Sequence, residues 1–330
     1  MSAKDVAAKA GVSRAAVSRT FTPGASVSPE TRSKVLEAAE ALGYEVNHLA
    51  RGLIRQQSGI VALVVAQLAT PYRSELVRAL TDQLQAAGKV AILINTDRSD
   101  STVDMALQQA IRYRADAAIV LSGMPERSIT ELCHRNGLRL VLINRDDSHT
   151  SSIQIRLNDA EAARLGLIAF VRSGCKKLAL ATSEAGTPSL VAREQSFLAE
   201  AGKRGIDVIC ERYGPTGYES GLVLGERLLV RPDRPDAVFC TTDLLACGVM
   251  DAARHRFSLA IPDDLSIIGF DNIPQAGWEA YQLTTFTQPV EDIAAAAMDW
   301  LSHTETQEKP HVVHLTATMA WRKSVRSGKP

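Results

Sequence analysis

The stretch Lys4-Asp5-Val6-Ala7-Ala8-Lys9-Ala10-Gly11-Val12-Ser13-Arg14-Ala15-Ala16-Val17-Ser18-Arg19 decides how the start of the chain folds. Helical spacing runs from Asp5 to Ala10. Gly11 suits the left-handed residue that ends a helix, and Ser13 is a good N-cap for the next one. The second helix extends from Arg14 to about Phe21, where Thr22-Pro23-Gly24 breaks it. Ser28-Pro29 combines an N-cap with proline at the first helical position of a third helix, which stops before Gly43. Val6, Ala7, Ala10, Val12, Val17, Val35, Leu36, Ala39 and Leu42 supply one small shared core. Two short helices joined by a tight turn containing glycine, with a third packed across them, describe a helix-turn-helix.

The second helix carries side chains suited to double-stranded DNA. Arg14, Ala15 and Ala16 open it and Arg19 follows. The first residues of a recognition helix point at base edges in the major groove, where arginine pairs with guanine and alanine touches a thymine methyl. Ser13, Ser18 and the helix N-terminal N–H groups suit phosphate. The alternative from spacing alone is a small helical bundle whose arginines merely solvate one face.

Working outward, the charge distribution agrees with a polyanion partner. Lys+Arg and Asp+Glu both number 37, but residues 1–57 hold 8 basic and 5 acidic side chains, so a head of +3 precedes a body of −3. With 330 residues and 45% hydrophobic side chains the chain can form two or three compact units, which excludes a disordered protein. The five cysteines, Cys133, Cys175, Cys210, Cys240 and Cys247, form no CxxC pair, so neither a zinc site nor a disulfide framework is expected. The N-terminus turns charged at once and the longest apolar run is Ile60 to Ala66. A cytoplasmic, soluble protein without secretory signal or membrane contact is expected.

From Ile60 the pattern changes. Apolar runs of strand length, Ile60–Ala66, Val90–Asn95, Ala117–Leu121 and Leu140–Asn144, alternate with helical stretches Glu75–Ala87, Val103–Tyr113 and Arg127–Arg135. A second series opens at Ile153–Leu157 and continues through Leu178–Thr182, Val208–Cys210, Ala237–Cys240 and Ser266–Gly269, again with helices between. Continuous apolar strands separated by helices imply parallel sheets covered on both faces. Two such units place a cleft at the carboxyl ends of their strands. No GxGxxG, GxxxxGK[ST], HExxH or GxSxG occurs, so no cofactor, metal or catalytic residue is expected.

The segments Lys4-Asp5-Val6-Ala7, Ala10-Gly11-Val12-Ser13, Val17-Ser18-Arg19, Val27-Ser28, Thr31-Arg32, Leu42-Gly43-Tyr44, Asn47 and Leu49-Ala50-Arg51-Gly52-Leu53 resemble the DNA-binding domain and hinge of the lactose-repressor (LacI) family. The resemblance continues through Asn158-Asp159-Ala160, Arg193, Asp243-Leu244-Leu245-Ala246, Gly269-Phe270-Asp271-Asn272-Ile273-Pro274 and Gln288-Pro289, in a core similar to periplasmic sugar-binding proteins. It implies an all-α helix-turn-helix domain (1–46), a hinge (47–58) and an α/β core of two doubly wound parallel-sheet lobes (59–330). The lobes are expected at about 59–155 with 285–308, and 156–284 with 309–323; the helix from Val290 to Leu301, with Trp300, returns to the first lobe.

The resemblance also implies roles. Arg14 and Ala15 would discriminate operators and Arg19 would make a more general base contact; Tyr44, Asn47 and Arg51 join the DNA-facing set, and Leu53 matches the leucine that wedges into the minor groove. For the effector, Arg193 would clamp hydroxyls and Asp271 accept from the opposite loop; Trp278 and Phe270 are stacking candidates, with core packing the default for both. Tyr72 would face the cleft, and Asn95, Asp97, Asn144 and Arg145 end strands of the first lobe. Asp97 and Asp243 serve equally well as helix caps. Two departures stand out: Thr22-Pro23-Gly24 follows the recognition helix where asparagine is usual, and Thr242 replaces the asparagine before Asp243. Arg145 beside Asn144 would also suit a carboxylated effector such as a sugar acid.

A repressor that binds a palindromic operator as a homodimer and responds to a carbohydrate or sugar acid accounts for head, hinge and cleft together. The hinge, His48–Gln56, is too short for a stable isolated helix and would fold on the operator. The tail after Trp321-Arg322-Lys323 has no leucine heptads, so a dimer is expected over a tail-assembled tetramer. A solute-binding protein or a sugar-active enzyme would explain only the body.

Overall fold

A computed structural model describes residues 1–22, 24–45, 57–97, 99–121, 123, 125–145, 152–303 and 311–327. Its contacts divide the chain into two units, Met1–Gly59 and Ile60–Pro330.

The first unit contains α1 (Ala3–Ala10), α2 (Arg14–Thr20) and α3 (Pro29–Leu42). Local signals set each boundary. The Asp5 carboxylate accepts the Ser2 N–H at 2.8 Å, and Gly11 ends α1 at φ +66°. Ser13 Oγ accepts the Ala16 N–H at 3.2 Å and Ser28 Oγ that of Thr31 at 3.2 Å, one side-chain cap for each of the next two helices. Val6, Ala7, Val17, Val35, Ala38 and Ala39 form the buried core. Leu36, expected in it, is exposed. The inward stripe of α3 is Val35, Ala38 and Ala39, and Leu36 lies one residue, about 100° of helical turn, off it.

The second unit begins with β1 (Ile60–Ala66), α4 (Pro71–Ala86), β2 (Val90–Thr96), α5 (Asp100–Arg112), β3 (Ala117–Val120), α6 (Arg127–Arg135), β4 (Arg139–Ile143) and β5 (Ile153–Leu157). It continues with α7 (Asp159–Arg172), β6 (Leu178–Thr182), α8 (Pro188–Gly202), β7 (Val208–Arg212), α9 (Tyr218–Leu229), β8 (Ala237–Cys240), α10 (Asp243–Arg256), β9 (Ser266–Asp271) and β10 (Thr284–Thr287). The chain then forms α11 (Val290–Ser302), β11 (His311–Leu315) and β12 (Thr318–Ala320).

These strands make two sheets, ordered β11-β5-β4-β3-β1-β2 and β12-β10-β9-β8-β6-β7. The described pairings are parallel except β10 with β12. Helices cover both faces of each sheet, which is why strands such as β1 and β6 are apolar throughout. Leu76, Leu80 and Leu84 of α4 pack with Ile293, Ala297 and Trp300 of α11 on one face of the first sheet. The Arg139 guanidinium lies over the Trp300 ring, 5.2 Å from its centroid. In the second lobe Phe197 stacks on Phe239 with centroids 4.6 Å apart, and α9 and α10 cover the opposite face.

Two strands fall in a different lobe from the sequence expectation. Ile153–Leu157, read as the opening of the second series, pairs with β4 in the first sheet. His311–Leu315 also belongs there, paired with β5 from His311↔Ile153. The chain therefore passes between lobes after Leu157 and after Thr287, close to the expected 155 and 284, and after Leu315 rather than near 308. Which neighbour a buried strand pairs with is set by tertiary contacts that its own apolar run does not encode.

Candidate functional site

In the head, α2 is held by Val17 and Thr20, which are buried on one side. Arg14, Ala15, Ser18 and Arg19 are exposed and Ser13 caps the helix. Arg19 Nε donates to the Ala15 carbonyl at 3.3 Å, which lays that side chain back along the helix. Arg32 Nη1 donates to the Thr20 carbonyl at 2.9 Å and so ties α3 to the end of α2. Ala16 and Tyr44 are half-buried, and the Tyr44 ring rests against Phe21. A capped helix, fixed from behind and presenting two arginines, can enter a major groove with Arg14 leading. Asn47, Arg51 and Leu53 lie outside the described residues.

In the second unit the strand ends of the two lobes line a cavity of about 80 Å³ that opens to solvent. Tyr72, Asn144, Arg145, Arg193, Thr242 and Asp271 line it together, joined by Arg73, Gln67, Ser189, Thr216, Ile273 and Gln288, which sequence reasoning did not assign. Its first-lobe wall comes from the ends of β1, β3 and β4 and the first turn of α4. Arg193, on α8, is buried; its Nε donates to Asp159 Oδ1 at 3.1 Å and its Nη1 to the Thr241 carbonyl at 2.9 Å and to Asp271 Oδ1 at 3.5 Å. Phe270 lies beneath, its ring centroid 3.5 Å from the Arg193 guanidinium carbon. Gln288 Nε2 donates to Asp271 Oδ1 at 2.6 Å.

Asp271 adopts φ +122° and Asn144 φ +53°, backbone conformations that L side chains seldom take and that concentrate at binding sites. Burial pushes the Asp271 carboxyl up to about 6, although Arg193 and the Gln288 bond pull the other way. Burial also raises the Tyr72 phenol to about 12. The Tyr72 hydroxyl and Gln288 Oε1 are buried without a hydrogen-bond partner among the described residues. The cavity thus offers a fixed guanidinium, a carboxylate, a phenol and an amide oxygen in one enclosure, a set able to bind hydroxyl and charged groups.

Four expected effector residues are not part of it. Asn95 and Asp97 are exposed because β2 is the outer strand, beyond β1 from the cavity. Asp97 accepts from the Ser99 N–H and Oγ and from Thr102 Oγ1 at the start of α5; these bonds hold its carboxyl down at about 2. Asp243 is fully buried, accepts the Ile273 N–H at 2.9 Å and receives the Thr285 hydroxyl, so it anchors the loop that carries Asp271. Burial first, then the like charge of Asp271, raises Asp243 to about 7. Phe270 is buried beneath Arg193 and serves as its support.

Comparison with known proteins agrees with both units. A model of bacterial regulatory proteins, lacI family, matches residues 2–47, and one of a periplasmic binding protein-like domain matches residues 168–325. Catabolite control protein A of Priestia megaterium is 30% identical over 328 residues, covering 98% of each chain. The chain belongs to the lacI family of bacterial regulatory proteins. The HTH-type transcriptional repressor PurR of Mannheimia succiniciproducens is 28% identical over 330 residues, again covering 98% of each. The solved Lac repressor dimer bound to operator and the anti-inducer ONPF shares the fold, with a TM-score of 0.89 at 23% identity over 99% of each chain. The CelR–cellobiose complex has a TM-score of 0.70 at 23% identity, over 98% of this chain and 99% of that one. These lacI-family relatives are transcriptional regulators rather than enzymes, and among the described residues no helix is long and apolar enough to cross a membrane.

Proposed function

We propose that this lacI-family chain is a cytoplasmic, sequence-specific repressor that binds a palindromic operator as a homodimer and is controlled by a small metabolite, a carbohydrate or sugar acid, held between its two lobes. The observation that carries this reading is the exposed Arg14–Arg19 face of a capped helix in the same chain as a polar inter-lobe cavity. Residues 1–46 read DNA, 47–58 form the hinge, with Asn47, Arg51 and Leu53 meeting the operator centre, and 59–330 form the sensor. Tyr72, Asn144, Arg145, Arg193, Thr242 and Asp271 contact the effector. Val90 and Leu93 on the edge strand, with Met105 and Tyr113 at α5, are exposed apolar side chains suited to a self-complementary contact.

The effector acts by preferring one arrangement of the lobes, which changes whether two hinges can meet on DNA. Selection of duplexes from a random library, followed by fluorescence anisotropy with and without candidate metabolites, tests the proposal. A recovered palindrome whose affinity changes with one metabolite supports it. Equal binding to selected and random duplexes, whatever metabolite is present, refutes it.

A further inference from the structure

Two arginines of the inter-lobe cavity differ in how their charge is met. Arg193 is balanced twice, by Asp159 at 3.1 Å and Asp271 at 3.5 Å. Arg73 has no such balance: among the described residues no carboxylate pairs with its guanidinium, which donates to the Leu121 carbonyl. Arg145, buried beside it, gives its Nη2 to the same carbonyl at 3.2 Å and its Nε to that of Gly123 at 2.6 Å. Among the described residues Arg73 is thus the cavity-wall guanidinium whose carboxylate is missing. Withdrawing an ion from water is costly unless an opposite charge meets it, so an unmatched cation on a cavity wall marks where a ligand brings the negative charge.

The surroundings of Arg73 favour the same chemistry. It sits in the first turn of α4, where Pro71 takes the first helical position and Thr70 does not cap, its hydroxyl being turned to the Gln67 carbonyl at 3.0 Å. The positive end of this helix is open toward the cavity. The neighbouring Tyr72 hydroxyl is buried and without a partner among the described residues, ready to donate to an anionic oxygen.

We propose that the ligand of this cavity is an anion, a small polyol bearing a carboxylate or phosphate group. Its charged group lies against Arg73, the Tyr72 hydroxyl and the start of α4, and its hydroxyls lie toward Arg193, Asp271 and Gln288. The inference rests on the cavity being the effector site and adds the charge of the effector and the residue that selects it.

The test is calorimetry and thermal melting of the full chain with glucose, gluconate, glucose 6-phosphate, ribose, ribose 5-phosphate and inorganic phosphate. At least one charged probe should raise the melting temperature while its uncharged parent does not; gluconate and the phosphates distinguish the two anionic groups. Arg73→Met should weaken the active anion by about ten- to hundredfold, and Arg73→Lys by less. The ligand-free Arg73→Met protein should melt no lower than the original, because a half-buried charge without a carboxylate partner has been removed; a purely structural arginine predicts a lower melt. An uncharged sugar that binds as tightly as its acid or phosphate overturns the proposal while leaving the effector reading intact, as does unchanged anion binding by Arg73→Met. Failure of every charged probe also overturns it, and if the uncharged sugars fail too the effector reading falls with it.

Discussion

Arg14 opens α2 with its side chain in solvent, whereas Arg19 bends back to the Ala15 carbonyl. The two arginines therefore have different tasks. Arg14→Ala should cost about 1–3 kcal/mol of operator affinity and relax preference at one base pair, read by anisotropy against duplexes varied one position at a time. An equal loss on all sequences would show a phosphate contact instead. In the core, Asp243→Ala strands the Ile273 N–H and the Thr285 hydroxyl. Urea denaturation should show a loss of about 2–3 kcal/mol, since hydrogen bonds to a buried charge are being broken. Capping was legible in the sequence where local signals fix it, as for Ser13 and Ser28, and the resemblance brought Arg193 and Asp271 to the cavity wall. The place of Arg73 on that wall was not legible, because it depends on the first turn of α4 meeting the other lobe, nor was that of Asp243, whose buried anchoring looks like any acidic residue at a helix start.

Elements were legible wherever periodicity and breakers coincide: each helix of the head has its start or stop signal in place, and buried strands show as unbroken apolar runs. Lateral order is another matter. Nothing in Val90–Thr96 announces an outer strand, which sets Asn95 and Asp97 away from the cavity; nothing in His311–Leu315 announces the first sheet. Close helix packing is similarly silent. A Cβ at Gly248 would come within 2.3 Å of the Tyr218 carbonyl, so α9 and α10 can meet only around glycine there. Gly248→Ala should push the two helices apart and cost about 1–3 kcal/mol, lowering the melting temperature of the core.

At the scale of the molecule, the second lobe holds two carboxyl groups whose titration burial raises toward neutral pH. The unfolded chain would titrate Asp243 and Asp271 near 3.8, whereas the folded protein holds them at about 7 and about 6. The folded state thus binds protons more tightly, and these groups make stability fall as pH rises from about 4 to about 7. Unfolding by urea at steps across that range should show the decline, and Asp243→Asn should flatten its upper part. The family, by contrast, was legible from the first fifty residues, because the head motifs are dense and in order, and the core repeats the same agreement over the rest of the chain.

The three tryptophans give the protein a built-in optical asymmetry. None lies in the first fifty-nine residues; Trp300 is enclosed under Arg139, while Trp278 and Trp321 are open to solvent. Iodide quenching of native emission should leave a protected fraction from Trp300 alone, while a labelled duplex reports the head. Sensor and reader can then be titrated in one cuvette, each by its own colour.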